Sequence, residues 1–127
     1  MVVVEVRTYR IKRGLRDRFL EFFEREAVPL QRSKGIYVLG PFVDLEDPDV
    51  FIWLRAFPSL EERDRMKRLL YDGVEWKNGL ETVAMPMLER YESVLTGTPS
   101  WFVNDLPDVR QTSDTAGRTR AGDGRPE

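Results

Sequence analysis

Residues 50–57 read VFIWLRAF, a run of aliphatic and aromatic side chains with one charge, Arg55. Aromatic and β-branched residues in a short run are typical of a strand. Turn sequences stand on both sides, Asp47-Pro48-Asp49 before the run and Pro58-Ser59 after it. The sequence therefore predicts a strand over 50–57, and the rest of the fold is worked out from it.

Downstream of this strand, the sequence predicts a helix and then a last strand. Ser59 and Glu62 have the spacing of a capping box, in which a hydroxyl and a carboxylate satisfy free N–H groups of the first helical turn. The helix is expected to run to about Tyr71. The elements that follow are a helical stretch over 75–85, ended by Pro86, and a strand over 88–95.

Upstream, a strand over 2–12 precedes an amphipathic helix over 15–34, in which Pro29 is expected to cause a kink or an early end. A further strand over 36–45 contains Gly40-Pro41, a bulge or edge feature. The element order is β-α-β-β-α-β. This order predicts an α+β, ferredoxin-like fold, with one antiparallel sheet and the helices on one face.

The composition changes near residue 96. We predict one domain over 1–96 and a disordered tail over 97–127, because the tail is rich in Gly, Pro, Ser, Thr, Asp and Arg. Trp101-Phe102-Val103 is the exception within the tail. It either docks on the domain or stays in solvent.

Composition also excludes several functions. The chain has no cysteine and no histidine, which excludes disulfides, Cys-His and Ser-His-Asp catalysis, and His-bound or Cys-bound metals. The net charge of -2 argues against nucleic-acid binding. No signal peptide or membrane-spanning run is visible, so we expect a cytoplasmic protein without membrane partners. We predict no metal and no cofactor. The acidic hairpin is read as a solvated turn rather than a calcium site, and its residues are Asp44, Glu46, Asp47 and Asp49.

Alternation along the strands separates two faces of the sheet. In the first strand, Val2, Val4 and Val6 share one face, while Glu5 and Arg7 lie on the other. We expect the aliphatic face to pack under the helices. The aromatic face is too apolar for water, so we predict that a second copy covers it. The result would be a homodimer with a cavity between the two sheets.

Three segments carry a family resemblance: EVRTYRIKRG at 5–14, FIWLRAFPSLEERDRM at 51–66 and MLERYESVL at 87–95. They resemble the NIPSNAP family, part of the dimeric α+β barrel superfamily. The resemblance covers roughly residues 3–96 and implies a ferredoxin-like fold and a dimer with a central pocket. Many relatives in the wider superfamily are small-molecule enzymes, among them cofactor-free monooxygenases, polyketide cyclases and isomerases.

Arg7, Tyr9 and Arg55 are the candidate catalytic residues. Both arginines alternate onto the aromatic face, where two planar guanidiniums suit a carboxylate, an enolate or a phosphate. The structural alternative is that Glu5 and another acid such as Glu89 pair with them. Tyrosine donates hydrogen bonds or serves as a general acid.

The candidate ligand-binding residues are Glu5, Tyr37, Phe51, Trp53 and Tyr91. Glu5 would serve as a base if buried without partners, but pairing with the arginines is favoured. The alternative to a ligand-binding role for the tyrosines and Trp53 is that they pack in the core. Three more residues, Tyr71, Trp76 and Met85, form either a lid over the pocket or part of the core.

Two functions remain open. The first is a homodimer that binds a small aromatic or acidic molecule and acts on it without a tightly bound cofactor, which rests on analogy with the superfamily. The second is a non-enzymatic scaffold that recruits a partner through its tail or outer surface.

Overall fold

A computed structural model describes residues 1–99. Four strands form one antiparallel sheet in the order β2-β3-β1-β4. Their bounds are β1 Val2–Ile11, β2 Tyr37–Val43, β3 Val50–Phe57 and β4 Leu88–Thr98. The predicted ferredoxin-like plan is confirmed, with β1 and β3 adjacent at the centre of the sheet.

The helices lie in the two crossovers, after β1 and after β3. The first crossover contains α1 Arg16–Phe22, a π-helical turn Phe23–Ala27 and α2 Val28–Ser33; the second contains α3 Leu60–Tyr71, a π-helical turn Trp76–Leu80 and α4 Glu81–Met87. Within residues 1–99, none of these helices has the length and apolar character needed to cross a membrane.

The two prolines act differently from the prediction. Pro29 does not stop the first helical segment, because it lies in the opening turn of α2, directly after the π-helical turn, where a missing N–H is tolerated. Pro86 lies inside α4 rather than after it. It is the penultimate helical residue, so the helix ends one residue later, at Met87, and the chain becomes extended at Leu88.

Half of the predicted capping box is present at the start of α3. The Ser59 hydroxyl accepts a hydrogen bond from the Glu62 backbone N–H at 3.1 Å. The Glu62 carboxylate instead accepts two hydrogen bonds from Arg65, one helical turn further on. An ion pair on the exposed helix surface thus takes the place of the reciprocal cap.

Gly40 marks the predicted irregularity in β2, where the register with β3 shifts between Leu39 and Phe42. Its φ of +111° lies in the region that favours glycine. A Cβ at Gly40 would lie 3.2 Å from the Cβ of Trp53. The glycine therefore allows β2 to pass close to the side chain of Trp53.

The core lies between the sheet and the helices, and it is aromatic. Its fully buried rings come from α1, the first π-helical turn and β3: Phe19, Phe23, Phe51, Trp53 and Phe57. Burial of each such side chain stabilises the fold by roughly 1.5–3 kcal/mol.

This core reverses the predicted assignment of the sheet faces. The face carrying Glu5, Arg7 and Arg55 packs under the helices of the same chain, not against a second sheet. Alternation separates two sets of side chains but does not say which set the helices cover. The first helical crossover contributes Phe19 and Phe23 to the core, so large side chains of the sheet pack against large side chains of the helices.

The opposite face of the sheet carries an apolar patch, and no helix of residues 1–99 lies above it. Val6, Ile52 and Leu54 lie on it half-buried, with Val94 and Phe42 beside them at 57% and 48% exposure. These five residues are called the open face below. Large apolar patches of this kind on a sheet usually mark an interface.

Strand β4 runs to Thr98, three residues past the predicted end at Leu95. The proposed anchor Trp101-Phe102-Val103 and nearly all of the tail predicted over 97–127 lie outside the described residues.

The hairpin between β2 and β3 is tied to the first helix by one side chain. Arg16 Nη1 lies 3.0 Å from the carbonyl oxygens of Asp44 and Asp47 and 3.1 Å from that of Val50. Because Arg16 is at the start of α1, these bonds fix the helix against the end of the hairpin.

Replacement of Arg16 by methionine should lower the free energy of unfolding by about 1–3 kcal/mol, since three carbonyl groups lose a charged donor. Urea unfolding followed by circular dichroism measures the change. Arg13→Met, at an exposed position nearby, is the matched control. Equal stability of the two variants would show that the hydrogen bonds of Arg16 contribute nothing to the free energy of unfolding.

Candidate functional site

A cavity of about 430 Å³ lies between the sheet and the helices. The sheet contributes Arg7, Tyr9, Trp53, Arg55 and Tyr91 to its wall. A volume of this size is within the range of small-molecule sites.

The helical side of the cavity is mostly apolar and aromatic. It is formed by Phe19, Phe22, Phe23, Leu70, Tyr71 and Trp76. Tyr71 and Trp76 contact each other edge to face, with ring centroids 5.0 Å apart. Met85, which is 50% exposed, lines the same cavity, and a lid formed by these three residues stays a prediction.

Both π-helical turns border this cavity. Phe23 and Ala27 come from the first turn, and Trp76 and Lys77 come from the second. A π-helical turn rotates the following side chains relative to a regular helix, and such turns are frequent at functional sites. Each crossover helix therefore changes its pitch where it faces the cavity.

Glu5 is fully buried behind the cavity wall and holds three guanidinium groups. Its Oε1 accepts from Arg7 Nη1 at 2.8 Å and from Arg55 Nε at 2.7 Å, and its Oε2 accepts from Arg63 Nε at 2.6 Å. Lys67 Nζ lies 3.8 Å from Oε2. These five side chains are called the Glu5 cluster below.

Burial alone would raise the pKa of Glu5. The charge and hydrogen bond of Arg55, the hydrogen bond of Arg63 and the charge of Arg7 outweigh it and lower that pKa to about 2. Glu5 is therefore ionised at neutral pH, and the pairing that the sequence favoured is present. Its role is to position the neighbouring cations, not to act as a base.

Arg55 is the central side chain of the site and is 1% exposed. Its Nη1 donates to the side-chain oxygen of Gln31 at 3.0 Å and to the Tyr71 hydroxyl at 2.9 Å. Its Nη2 is buried and has no hydrogen-bond partner within the described part of the chain. One edge of this guanidinium is therefore unused.

Arg7 lies beside it with a different set of contacts. Its Nη1 also reaches the Ser93 hydroxyl at 3.2 Å, and its Nη2 donates to the Tyr9 hydroxyl at 3.2 Å. Its Cζ lies 5.3 Å from the centroid of Trp53 and 5.1 Å from that of Tyr91. These distances are within the range of cation–π contacts, so aromatic rings hold the arginine in the wall.

Trp53 stands between the two arginines. The Cζ of Arg55 lies 5.4 Å from the centroid of its ring, and the Cζ of Arg7 lies 5.3 Å from the same centroid. Its indole Nε1 is buried without a partner among residues 1–99. Since an indole N–H only donates, Trp53 adds a second unused donor to the cavity wall.

The charge balance of the cluster is positive. Four cations surround the single buried carboxylate of Glu5. Arg63 has a second acidic neighbour, Asp64 at 3.5 Å, but Asp64 is largely exposed. The buried part of the site therefore carries more positive than negative charge, an arrangement that favours an anion.

The structure places the predicted site residues in three groups. Arg7, Tyr9, Trp53, Arg55 and Tyr91 line one cavity, and Glu5 supports it from behind. Phe51 is in the core, in contact with the rings of Tyr9, Phe19 and Phe23. Tyr37 pairs with Ala56 and so shares the opposite face of the sheet. The cavity itself lies within one chain, which corrects the predicted position between two sheets.

The sequence analysis missed Gln31, Arg63 and Lys67. Gln31 follows Phe23 and Ala27 at four-residue spacing, so it is a polar residue at a core position. Arg63, Lys67 and Tyr71 repeat the same spacing along α3. Polar groups on the buried face of a helix are the pattern that would have indicated them.

Within residues 1–99, no group of three or more acidic side chains is arranged to hold a metal ion. The acidic hairpin uses its oxygens locally, since the Asp44 carboxylate accepts the N–H groups of Glu46 and Asp47. The Asp47 carboxylate accepts from Arg10 at 2.7 Å, and the Asp49 carboxylate accepts from the Gly14 N–H.

Replacement of Glu5 by glutamine should lower the free energy of unfolding at pH 7 by about 3–5 kcal/mol, because it leaves buried guanidiniums unpaired. A lowered folded-state pKa stabilises the fold above pH 4.5, and this stability is lost as pH falls through 4.5 towards 2. Between pH 7 and pH 3 the loss amounts to about 2 kcal/mol in the parent protein. Urea unfolding at pH 7, 4.5 and 3 measures it.

Glu89→Gln is the control for this comparison, because Glu89 makes only a long, exposed ion pair with Arg90. The Glu89→Gln protein should lose stability in acid as the parent does. The Glu5→Gln protein should lack the part of this loss that comes from protonation of Glu5. Parallel pH profiles for the two variants would contradict the assignment.

Comparison with solved structures gives several chains of the same architecture. A NIPSNAP family protein of Agrobacterium tumefaciens strain C58 superposes with a TM-score of 0.70 at 22% identity, covering 80% of this chain and 96% of that one. A NIPSNAP-like domain protein of Burkholderia xenovorans gives 0.70 at 26% identity, with 79% and 87% covered. A putative antibiotic biosynthesis monooxygenase of Nitrosomonas europaea gives 0.61 at 16% identity, with 78% and 91% covered, and shows the fold alone.

No curated protein matches the chain. The NIPSNAP family model, in contrast, matches residues 4–101, which include β2, β3 and β4, all but the first two residues of β1, and the whole wall of the cavity. The chain belongs to the NIPSNAP family.

Proposed function

We propose that the cavity binds a small aromatic molecule with an anionic group. The observation that carries the proposal is that three side chains of its wall have a buried N–H group without an acceptor among residues 1–99: Arg7 Nε, Arg55 Nη2 and Trp53 Nε1. Buried N–H groups are rarely left without an acceptor. A carboxylate or enolate oxygen would satisfy them and offset the positive charge of the Glu5 cluster.

The aromatic part of the ligand follows from the remaining wall. Phe22, Tyr71 and Trp76 face the sheet side of the cavity, where Tyr9 and Tyr91 lie with ring centroids 5.5 Å apart. A flat ring would make offset or edge-to-face contacts with these side chains. Its acidic group would then lie toward the arginines.

The catalytic version of the proposal is a cofactor-independent reaction through an enolate or phenolate, of the monooxygenase, cyclase or isomerase type. Guanidinium and indole donors set in place before reaction stabilise negative charge that develops on a substrate oxygen. The fold is shared with the putative monooxygenase of Nitrosomonas europaea, which supports this version by analogy.

A second copy of the chain is the proposed partner, and it would cover the open face. The open face is apolar, lies opposite the cavity and has no helix over it in the described chain. Each protomer would then keep its own cavity. The cytoplasmic location and the lack of a resident cofactor stay predictions from the sequence.

Binding is tested first with the protein unchanged. Salicylate should bind at least about tenfold more tightly than salicylamide, because only the acid meets the charged donors with a charged acceptor. Isothermal titration calorimetry measures both constants. Equal affinity for the acid and the amide would contradict the proposal.

Arg55→Lys should weaken salicylate binding by at least about tenfold, since the ammonium lacks the planar fork. Arg10→Lys is the matched control, because Arg10 pairs with Asp47 away from the cavity. Thermal unfolding checks that both variants are folded. A folded Arg55→Lys protein that binds normally would remove Arg55 from the site.

Val94→Glu should convert the homodimer to a monomer, because it places a charge on the covered face. Light scattering after size-exclusion chromatography should give about twice 14.9 kDa for the parent and 14.9 kDa for the variant. Leu45→Glu is the control, since Leu45 is 93% exposed in the hairpin. A parent protein that is monomeric would contradict the dimer.

A further inference from the structure

Lys67 is the cation of the Glu5 cluster that is held least tightly. Its Nζ is 3.8 Å from Glu5 Oε2, beyond hydrogen-bonding distance, while guanidiniums occupy both oxygens of that carboxylate. Lys67 also lines the cavity. Its position on α3, one turn after Arg63 and one turn before Tyr71, directs it toward the sheet.

The surroundings of Lys67 lower the pKa of its ammonium group. Burial lowers the pKa of its ammonium, the charge of Glu5 raises it, and repulsion by Arg55, Arg63 and Arg7 lowers it further, with a net lowering. A neutral amine next to a cavity is able to accept a proton.

Two other titratable groups of the site are unsuited to that task. Glu5, with its pKa near 2 and all its oxygens occupied, is a very weak base. Burial raises the pKa of Tyr9 above its usual value despite the opposing charge of Arg7, so its phenolate is scarce at neutral pH. Lys67 is better suited than both.

We propose that Lys67 is the proton acceptor for a carbon acid, an aryl-substituted α-keto carboxylate, bound in the cavity. This inference rests on the proposed function, which supplies the anionic aromatic ligand. The carboxylate would lie against Arg7, and the carbonyl oxygen would lie at the unused donors of Arg55 and Trp53.

The step balances without a co-reactant. A C–H bond next to the carbonyl breaks, its proton goes to the Lys67 amine, and its electron pair forms the carbon–carbon double bond of an enolate. The carbonyl oxygen takes the negative charge and accepts hydrogen bonds from Arg55 Nη2 and Trp53 Nε1. The Lys67 ammonium exchanges its protons with solvent and returns one to the same carbon, which restores the neutral amine and completes one exchange.

The experiment uses phenylpyruvate in heavy water with the purified full chain. Proton NMR follows the loss of the methylene signal next to the carbonyl, above the rate in buffer alone. The parent protein should accelerate the exchange, and Lys67→Met should reduce that acceleration at least about 100-fold. Phenylpyruvate should still bind by calorimetry, with a loss of affinity of no more than about tenfold, because the variant removes one of the four cations of the Glu5 cluster.

Lys12→Met, a change at an exposed lysine remote from the cavity wall, should match the parent in both measurements. Normal binding with normal exchange in Lys67→Met would overturn the proposal and leave the proposed function standing. A parent protein that binds none of the aromatic acids would overturn both. Borohydride trapping of phenylpyruvate on Lys67 would show a nucleophile instead and would also overturn it.

The pH profile of the parent protein is a second test that needs no substitution. The exchange rate should rise with pH and level off once Lys67 is neutral, below the usual lysine value of about 10.4. Several charged or titratable groups face Lys67 or share its cavity. They are Glu5, Arg7 and Tyr9 on β1, Arg55 on β3, Tyr91 on β4, Arg63 and Tyr71 on α3, and Lys77 and Glu81 beyond it. A rate that does not change between pH 7 and 10 would overturn the proposal.

Discussion

One buried carboxylate organises this protein. Glu5, in the middle of the central strand β1, accepts hydrogen bonds from Arg7 on the same strand, Arg55 on β3 and Arg63 on α3. A buried charge is tolerated only when it is paired and its lone pairs are occupied. The Glu5 carboxylate therefore stabilises both the register of β1 with β3 and the position of α3 above the sheet.

The same cluster explains why the site is suited to an anion. The cluster brings four cations to one carboxylate and leaves donors of Arg55 and Trp53 without acceptors at the cavity wall. The Arg55 side chain is held in position because its Nη1 donates to Gln31 and Tyr71 and its guanidinium lies over the ring of Trp53. A charged ligand would meet groups that are already in place, so little reorganisation opposes its binding.

Much of the fold was predictable because its elements are short and locally determined. The strand over 50–57, the helix that begins after Ser59, the irregularity at Gly40 and the central pairing of β1 with β3 all follow from composition, turn residues and element order. The site was predictable in part. Arg7 and Arg55 alternate onto one face of adjacent strands, so their proximity follows from the topology alone.

The order of residues is enough to specify the two sets of strand side chains, the absence of histidine and cysteine chemistry, and the pairing preference of Glu5. It does not specify which set the helices cover, and that follows from the packing of the folded chain. Period-two alternation is symmetric between the faces of a sheet, and the choice depends on how the crossovers pack. That choice put the arginines inside one chain and brought Gln31 and Lys67 to them from helices distant in sequence.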